Sequence, residues 1–231
     1  MDLTGIHTLT FDCYGTLIDW ETGILKLLRR ILDAHKISLG DQEILELYAT
    51  LEAEAESGAY RSYREVMGVV MKGLGERLTF KPSPLDLVAL PYSMQGWQPF
   101  PDTVDALRSL KQRFKLAIVS NVDDDLFASN CERFKVRFDW VVTAQQARAY
   151  KPSPVVFEYA LKQIGQPPEA ILHVAQSLFH DIAPASRWGI KTVWLNRPSL
   201  RPGFGATPPT TARPDLELPN LTALTELLIG L

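Results

Sequence analysis

The sequence predicts an α/β fold, a doubly wound parallel sheet interrupted by an inserted block of helices, and three observations carry that prediction. From Asp102 to the C-terminus, short apolar runs alternate with amphipathic ones, the pattern of parallel strands joined by crossover helices. A further apolar run, Thr8–Phe11, stands near the N-terminus and needs that sheet to pair with. Between the two, residues 20–96 offer no good strand candidate but repeat apolar side chains at helical spacing.

Taken in order, Thr8, Leu9, Thr10 and Phe11 read as a buried strand that Gly15-Thr16 breaks, leaving Asp12 at its C-terminal end. Helices follow around Ile24, Leu27, Leu28, Ile31 and Leu32, then Ile44 to Leu51, then Tyr63 to Leu74. Gly40-Asp41 and Gly58 punctuate them, and Lys81-Pro82-Ser83-Pro84 turns the chain into a short helix over Leu85–Leu90. Trp97–Pro101 reads as a linker. Asp102–Arg113 is a helix, followed by a strand at Leu116–Ser120, a helix through Arg133 and a strand at Trp140–Thr143. Then come a helix over Pro154–Ile164, a strand at Ile171–Ala175, a helix over Phe179–Trp188 and a strand at Thr192–Leu195. Arg197–Pro214, rich in Pro, Gly and Thr, reads as an irregular surface loop, Asp215–Leu218 as an edge strand and Leu221–Leu228 as a closing helix. An insertion that leaves the C-terminal edge of a sheet lies over that edge, so the helical block is expected to act as a lid.

Composition narrows the function classes. With 231 residues and 46% apolar content the chain has ample material for a core. A net charge of −3 and a pI near 5.8, with no Lys/Arg block, argue against nucleic acid as a partner. No apolar run approaches the ~18 residues of a membrane span, and no basic-then-apolar segment opens the chain, so no membrane partner and a cytoplasmic location are expected. Cys13 and Cys131 lack disulfide or metal-site spacing, and strand alternation turns Cys13 toward the core. A homodimer remains possible.

Chemistry-bearing residues gather at strand ends, where open α/β sheets bind ligands. Asp12 ends the first strand. Ser120 and Asn121 end the second, a hydroxyl and an amide able to hydrogen-bond an anion. Lys151, held extended by Pro152, lies in the loop after the third. Gln176, Ser177, His180 and Asp181 follow the fourth. Each has a local explanation as a cap, a turn or a first-turn acid, but four such explanations would have to coincide in order.

The series Asp12-Cys13-Tyr14-Gly15-Thr16, Ser120-Asn121, Lys151-Pro152 and the loop reaching Asp181 resembles the four motifs of the haloacid dehalogenase (HAD) superfamily, in its 2-haloacid dehalogenase branch. The resemblance implies a Rossmann-like core of residues 1–18 and 98–231 and a helical cap over 19–97. It implies hydrolytic dehalogenation of a short 2-haloalkanoic acid: Asp12 attacks the halogen-bearing carbon, forms an ester, and water hydrolyses the ester with Asp181 orienting or activating it. Lys151 is the third catalytic residue and would keep the desolvated Asp12 ionised. Tyr14, Thr16, Ser120, Asn121, Gln176 and Ser177 are the implied substrate-binding residues, with no cofactor and no metal. The branch's cap Arg is missing, because Leu51-Glu-Ala-Glu-Ala-Glu56 stands there, and Arg61 or Arg64 is the candidate replacement. Two alternatives stand beside this reading. One is a Mg²⁺-dependent phosphatase acting on a small phosphorylated metabolite, although Tyr14 and Gln176 occupy positions where such enzymes carry acids. The other is a non-catalytic HAD-fold protein, against which the joint retention of Asp12, Lys151 and Asp181 argues.

Overall fold

The computed structural model describes residues 2–197 and 206–230. Its centre is a six-stranded sheet of β1 (Thr8–Phe11), β2 (Lys115–Ser120), β3 (Trp140–Thr143), β4 (Ile171–Ala175), β5 (Lys191–Leu195) and β6 (Leu216–Leu218). The order is β3-β2-β1-β4-β5-β6, and every pairing is parallel. β1, β2 and β4 are almost wholly buried on both faces, as a parallel sheet covered on both sides requires. The strand order reverses beside β1, between β2 and β4. Ligands of open α/β sheets bind at such a reversal, so the fold sets β1 and its C-terminal residue at the expected site.

Helices α1 (Trp20–Ala34), α2 (Asp41–Glu56), α3 (Tyr63–Arg77) and α4 (Asp86–Ser93) form the block between β1 and α5 (Thr103–Leu110). The chain leaves and re-enters the sheet at one place: Asp19 N donates to Gln98 O at 2.9 Å, and Ile18 bridges Pro99. α1 starts where Asp19 accepts from Thr22 N, and buries Ile24, Leu25, Leu27, Leu28, Ile31 and Leu32. Each such side chain contributes roughly 1.5–3 kcal/mol on leaving water. α3 starts with Ser62 and Glu65 capping each other's backbone N–H. α2 departs from the apolar rule, since its buried face carries Glu52 among Ile44, Leu45, Tyr48, Leu51 and Ala55.

The remaining helices are α6 (Asp124–Cys131), α7 (Ala144–Ala147), α8 (Pro154–Ile164), α9 (Ala183–Arg187) and α10 (Leu221–Ile229). Three sequence expectations need adjustment. The helix from Asp102 ends at Leu110, because Phe114 N turns back onto Leu110 O before β2 begins. The single helix expected after β4 is instead a π turn, Leu178–Ile182, leading into α9. The loop Arg197–Pro214 is not wholly at the surface: residues 198–205 lie outside the described residues, but Ala206 and Thr207 are buried, with Ala206 N bound to Glu21 Oε1 at 2.9 Å. Among the described residues no helix is long and apolar enough to cross a membrane.

Candidate active site

Asp12 N donates to Val174 O at 3.2 Å, one residue past the end of β1, which fixes the aspartate where the sheet opens. The backbone then bends sharply. Gly15 has φ +94°, and a Cβ there would lie 3.0 Å from Trp20 Nε1 and 3.3 Å from Gln176 Oε1, so glycine alone fits without strain. That turn brings Thr16 back over Asp12. Its hydroxyl donates to Asp12 Oδ2 at 2.7 Å and accepts from Gln176 N at 2.9 Å, tying the first strand end to the fourth.

Lys151 is the hub of the site and is 1% exposed. Its Nζ donates to Asp12 Oδ1 at 2.8 Å, Asp181 Oδ1 at 2.7 Å and Val119 O at 2.8 Å, using all three ammonium hydrogens. Its backbone is clamped by Asn121, which accepts from Lys151 N at 2.7 Å and donates to Lys151 O at 3.0 Å. Asp181 is held from the other side by His173 Nε2 at 2.9 Å, and His173 Nδ1 meets Thr10 Oγ1 at 2.8 Å across the β1–β4 pairing. Burial opposes the charge of Lys151, but Asp12 and Asp181 more than offset it and raise its pKa. Burial also pushes Asp181 up, yet Lys151 and His173 overcome it and hold Asp181 below its ordinary value. Asp12 ends above its ordinary value, because desolvation outweighs the pull of Lys151 and Asp181 repels it. Lys151 therefore limits the rise in Asp12 rather than abolishing it.

The cavity above Asp12 has a volume of about 40 Å³. Tyr14, Ser120, Asn121, Gln176, Ser177 and His180 line it from the sheet edge, and Trp20, Glu52, Glu56 and Tyr63 from the helical block. Ser120 Oγ and Asp181 Oδ2 are buried without a hydrogen-bond partner among the described residues. The Ser177 hydroxyl is already engaged, accepting from His180 N at 2.9 Å at the start of the π turn. Cys13 is buried, and burial followed by the charge of Asp12 raises its thiol well above the usual range, which removes it as a nucleophile.

Arg61 and Arg64 do not belong to the cavity. Arg61 donates to Ala55 O at 2.9 Å, and Arg64 pairs with Asp125 on the outer surface. For Arg64 the cause is helical geometry, since Tyr63 takes the inward position at the start of α3; Arg61 precedes the helix and turns back onto the end of α2. Sequence reasoning also missed His173, Trp20, Tyr63 and Thr207. A histidine inside the apolar run of β4 was the available sign for the first; the others needed the folded chain.

The HAD phosphatases suggest a test for Mg²⁺. The carboxylates at the floor of the cavity, Asp12 and Asp181, are both countered by Lys151, and the nearby positions hold the phenol of Tyr14 and the amide of Gln176. Hard divalent cations favour charged oxygens, so this donor set does not fit Mg²⁺. Among the described residues no group of at least 3 His, Cys, Asp or Glu side chains could hold a metal ion.

A doubly wound parallel sheet with a desolvated, lysine-countered carboxylate at its switch point is an arrangement suited to a hydrolase that uses the carboxylate as nucleophile. Comparison makes the class specific. The family model for haloacid dehalogenase-like hydrolases matches residues 6–189, and the chain belongs to that family. It is 29% identical over 231 residues to haloacetate dehalogenase H-2 of Moraxella sp. (strain B), covering 96% of this chain and 98% of the other. It is 26% identical over 217 residues to the pyrimidine 5'-nucleotidase YjjG of Escherichia coli (strain K12), covering 91% and 95%. The fold matches the L-2-haloacid dehalogenase of Xanthobacter autotrophicus with TM-score 0.82 and 22% identity, over 98% of this chain and 99% of that one.

Proposed function

We propose that this hydrolase removes halide from a short 2-haloalkanoic acid through an aspartyl ester on Asp12. The observation that carries the reading is the Lys151 hub, which leaves a desolvated carboxylate oriented by Thr16 at the floor of the cavity. An oxygen of Asp12 forms a bond to the halogen-bearing carbon, and the carbon–halogen electron pair departs with the halide. Water then adds to the Asp12 carbonyl carbon, and the ester opens to release the 2-hydroxy acid. Asp181 Oδ2 has no hydrogen-bond partner among the described residues and is the candidate acceptor for the proton of that water. Asn121 acts through Lys151, by holding its backbone. Residues 19–97 serve in this reading as a cap that closes the cavity from above.

The phosphatase alternative keeps one specific support, the likeness to a nucleotidase over nearly the whole chain. Assaying halide and phosphate release side by side discriminates the two. Halide release from chloroacetate or fluoroacetate is expected to survive EDTA unchanged, with little hydrolysis of p-nitrophenyl phosphate even in added Mg²⁺. Phosphate release on adding Mg²⁺, with no halide from any haloacid, overturns the dehalogenase reading.

A further inference from the structure

The cavity wall contributed by α2 is acidic. Glu52 and Glu56 lie one helical turn apart on the same side and both line the cavity, and neither has a salt-bridge partner among the described residues. Their surroundings differ. Glu52 Oε1 accepts from Tyr48 Oη at 2.9 Å and from Tyr63 Oη at 2.6 Å, so it is used as an acceptor. Glu56 meets the Asn121 amide at 3.5 Å, and that amide is committed at 3.0 Å to Lys151 O. Ser120, which precedes Asn121 and also lines the cavity, is 1% exposed, and its hydroxyl has no partner among the described residues. The charges acting on Glu56 are Glu52 from its own helix and Lys151 from the sheet edge; its own charge reaches Tyr48 on α2 and Tyr150 just before Lys151, and Tyr63 from α3, Asp12, Asp181 and His180 share the cavity with it.

A carboxylate substrate entering this cavity meets Lys151 as the lining cation, and that ammonium is fully engaged by Asp12, Asp181 and Val119 O. Two carboxyl groups can share a single proton and so avoid facing each other as two buried anions. Resting on the haloacid reading above, we propose that Glu56 binds as a neutral carboxylic acid, donating its O–H to the substrate carboxylate, with the Ser120 hydroxyl as second donor. The shared proton does the work of the missing cap arginine. It is not consumed in turnover, because it lies on the carboxylate end and not at the reacting carbon.

The electrostatics run the same way: burial and then Glu52 push the Glu56 carboxyl well above its usual range, despite Lys151. Glu52 beside it rises to about 7, because burial outweighs the hydrogen bonds from Tyr63 and Tyr48, whereas burial lowers His180 to about 4 and keeps it neutral above that. An ionised Glu56 must take up a proton to bind the ligand. Affinity for a carboxylate therefore falls about tenfold per pH unit above the Glu56 pKa.

The test uses non-reacting ligands, so it stands apart from halide release. Binding of glycolate and of its neutral counterpart glycolamide is measured by calorimetry on the wild-type protein and on Glu56→Gln, from about pH 5.5 to 9, in two buffers of different ionisation enthalpy. Expected in the wild type are glycolate affinity that falls with pH and uptake of about one proton at the alkaline end. Glu56→Gln keeps an N–H donor, so it is expected to bind glycolate with a flattened pH dependence and reduced proton uptake. The idea is overturned by a pH-independent wild-type affinity, by an unchanged slope in Glu56→Gln, or by failure to bind glycolate at any pH. Preference for glycolamide throughout also overturns it, since the wall would then be ionised and reading N–H donors. Absence of halide release with pH-linked glycolate binding intact would remove the dehalogenase reading alone.

Discussion

At the scale of single residues, Asp12 is pulled two ways. Burial favours its protonated form, and protonation would remove the nucleophile; Lys151 and Thr16 oppose that. Asp12→Asn keeps the shape but cannot form the ester, so turnover is expected to vanish while the unfolding transition persists. Single-turnover reaction in ¹⁸O-water checks the same point: label should enter Asp12 of the wild type. Label in the first-turnover product, with none on Asp12, would mean direct attack by water. Lys151→Met removes the charge that limits the rise of Asp12, so the acid limb of the kcat/KM profile should move to higher pH. An acid limb that stays in place would show that Lys151 does not set the ionisation of Asp12.

At the scale of elements, the helical block is tied to the sheet by a cap drawn from the opposite layer. Asp123, 3% exposed and just beyond β2, accepts from Tyr63 N at 2.8 Å and from Arg64 N at 3.0 Å at the start of α3. A carboxylate there satisfies two of the orphan N–H groups of the helix and complements its dipole. Asp123→Ala should destabilise the chain by about 1–3 kcal/mol in urea titration and lower kcat/KM, because Tyr63 also holds Glu52. Unchanged stability would show that Ser62 caps α3 alone. Local pattern made the strands and helices readable: Thr8–Phe11 and Ile171–Ala175 are short, mostly apolar runs buried on both faces, because a central parallel strand has no wet side. The cap face of the cavity was not readable in the same way. Arg61 and Arg64 attracted attention by charge, but which residue of a helix end turns inward depends on packing, and there Tyr63 wins. Glu52 and Glu56 showed only as the absence of an expected arginine, since an inward acid on an amphipathic helix looks like a solvated one until its partners are placed, Tyr48 and Tyr63 for Glu52 and the Asn121 amide for Glu56.

At the scale of the whole molecule, the buried acids leave a mark on folding stability. Glu52 rises from 4.5 to about 7 in the folded chain, from burial against the opposing hydrogen bonds of Tyr63 and Tyr48, and Glu56 and Asp12 are also raised. Over that interval the folded state holds protons that the unfolded chain has released, so stability falls as pH rises through it. Asp181 has the opposite sign: its lowered pKa gives stability that is present above 3.8 and is lost as pH falls. Lys151, raised above 10.5, adds stability that is lost only in strong alkali, outside the interval. The sum is a stability maximum on the weakly acidic side of neutrality. Glu52→Gln isolates the alkaline limb, because the amide oxygen can still accept both tyrosine hydroxyls while the titrating proton is gone. In urea titrations the wild type should lose roughly 1–3 kcal/mol between about pH 5 and pH 8 from Glu52, and Glu52→Gln should keep most of it. Equal losses in the two proteins, or a wild type that gains stability across the interval, would mean that the α2 acid is not buried as a proton-holding group, and the acidic wall of the cavity would have to be redrawn.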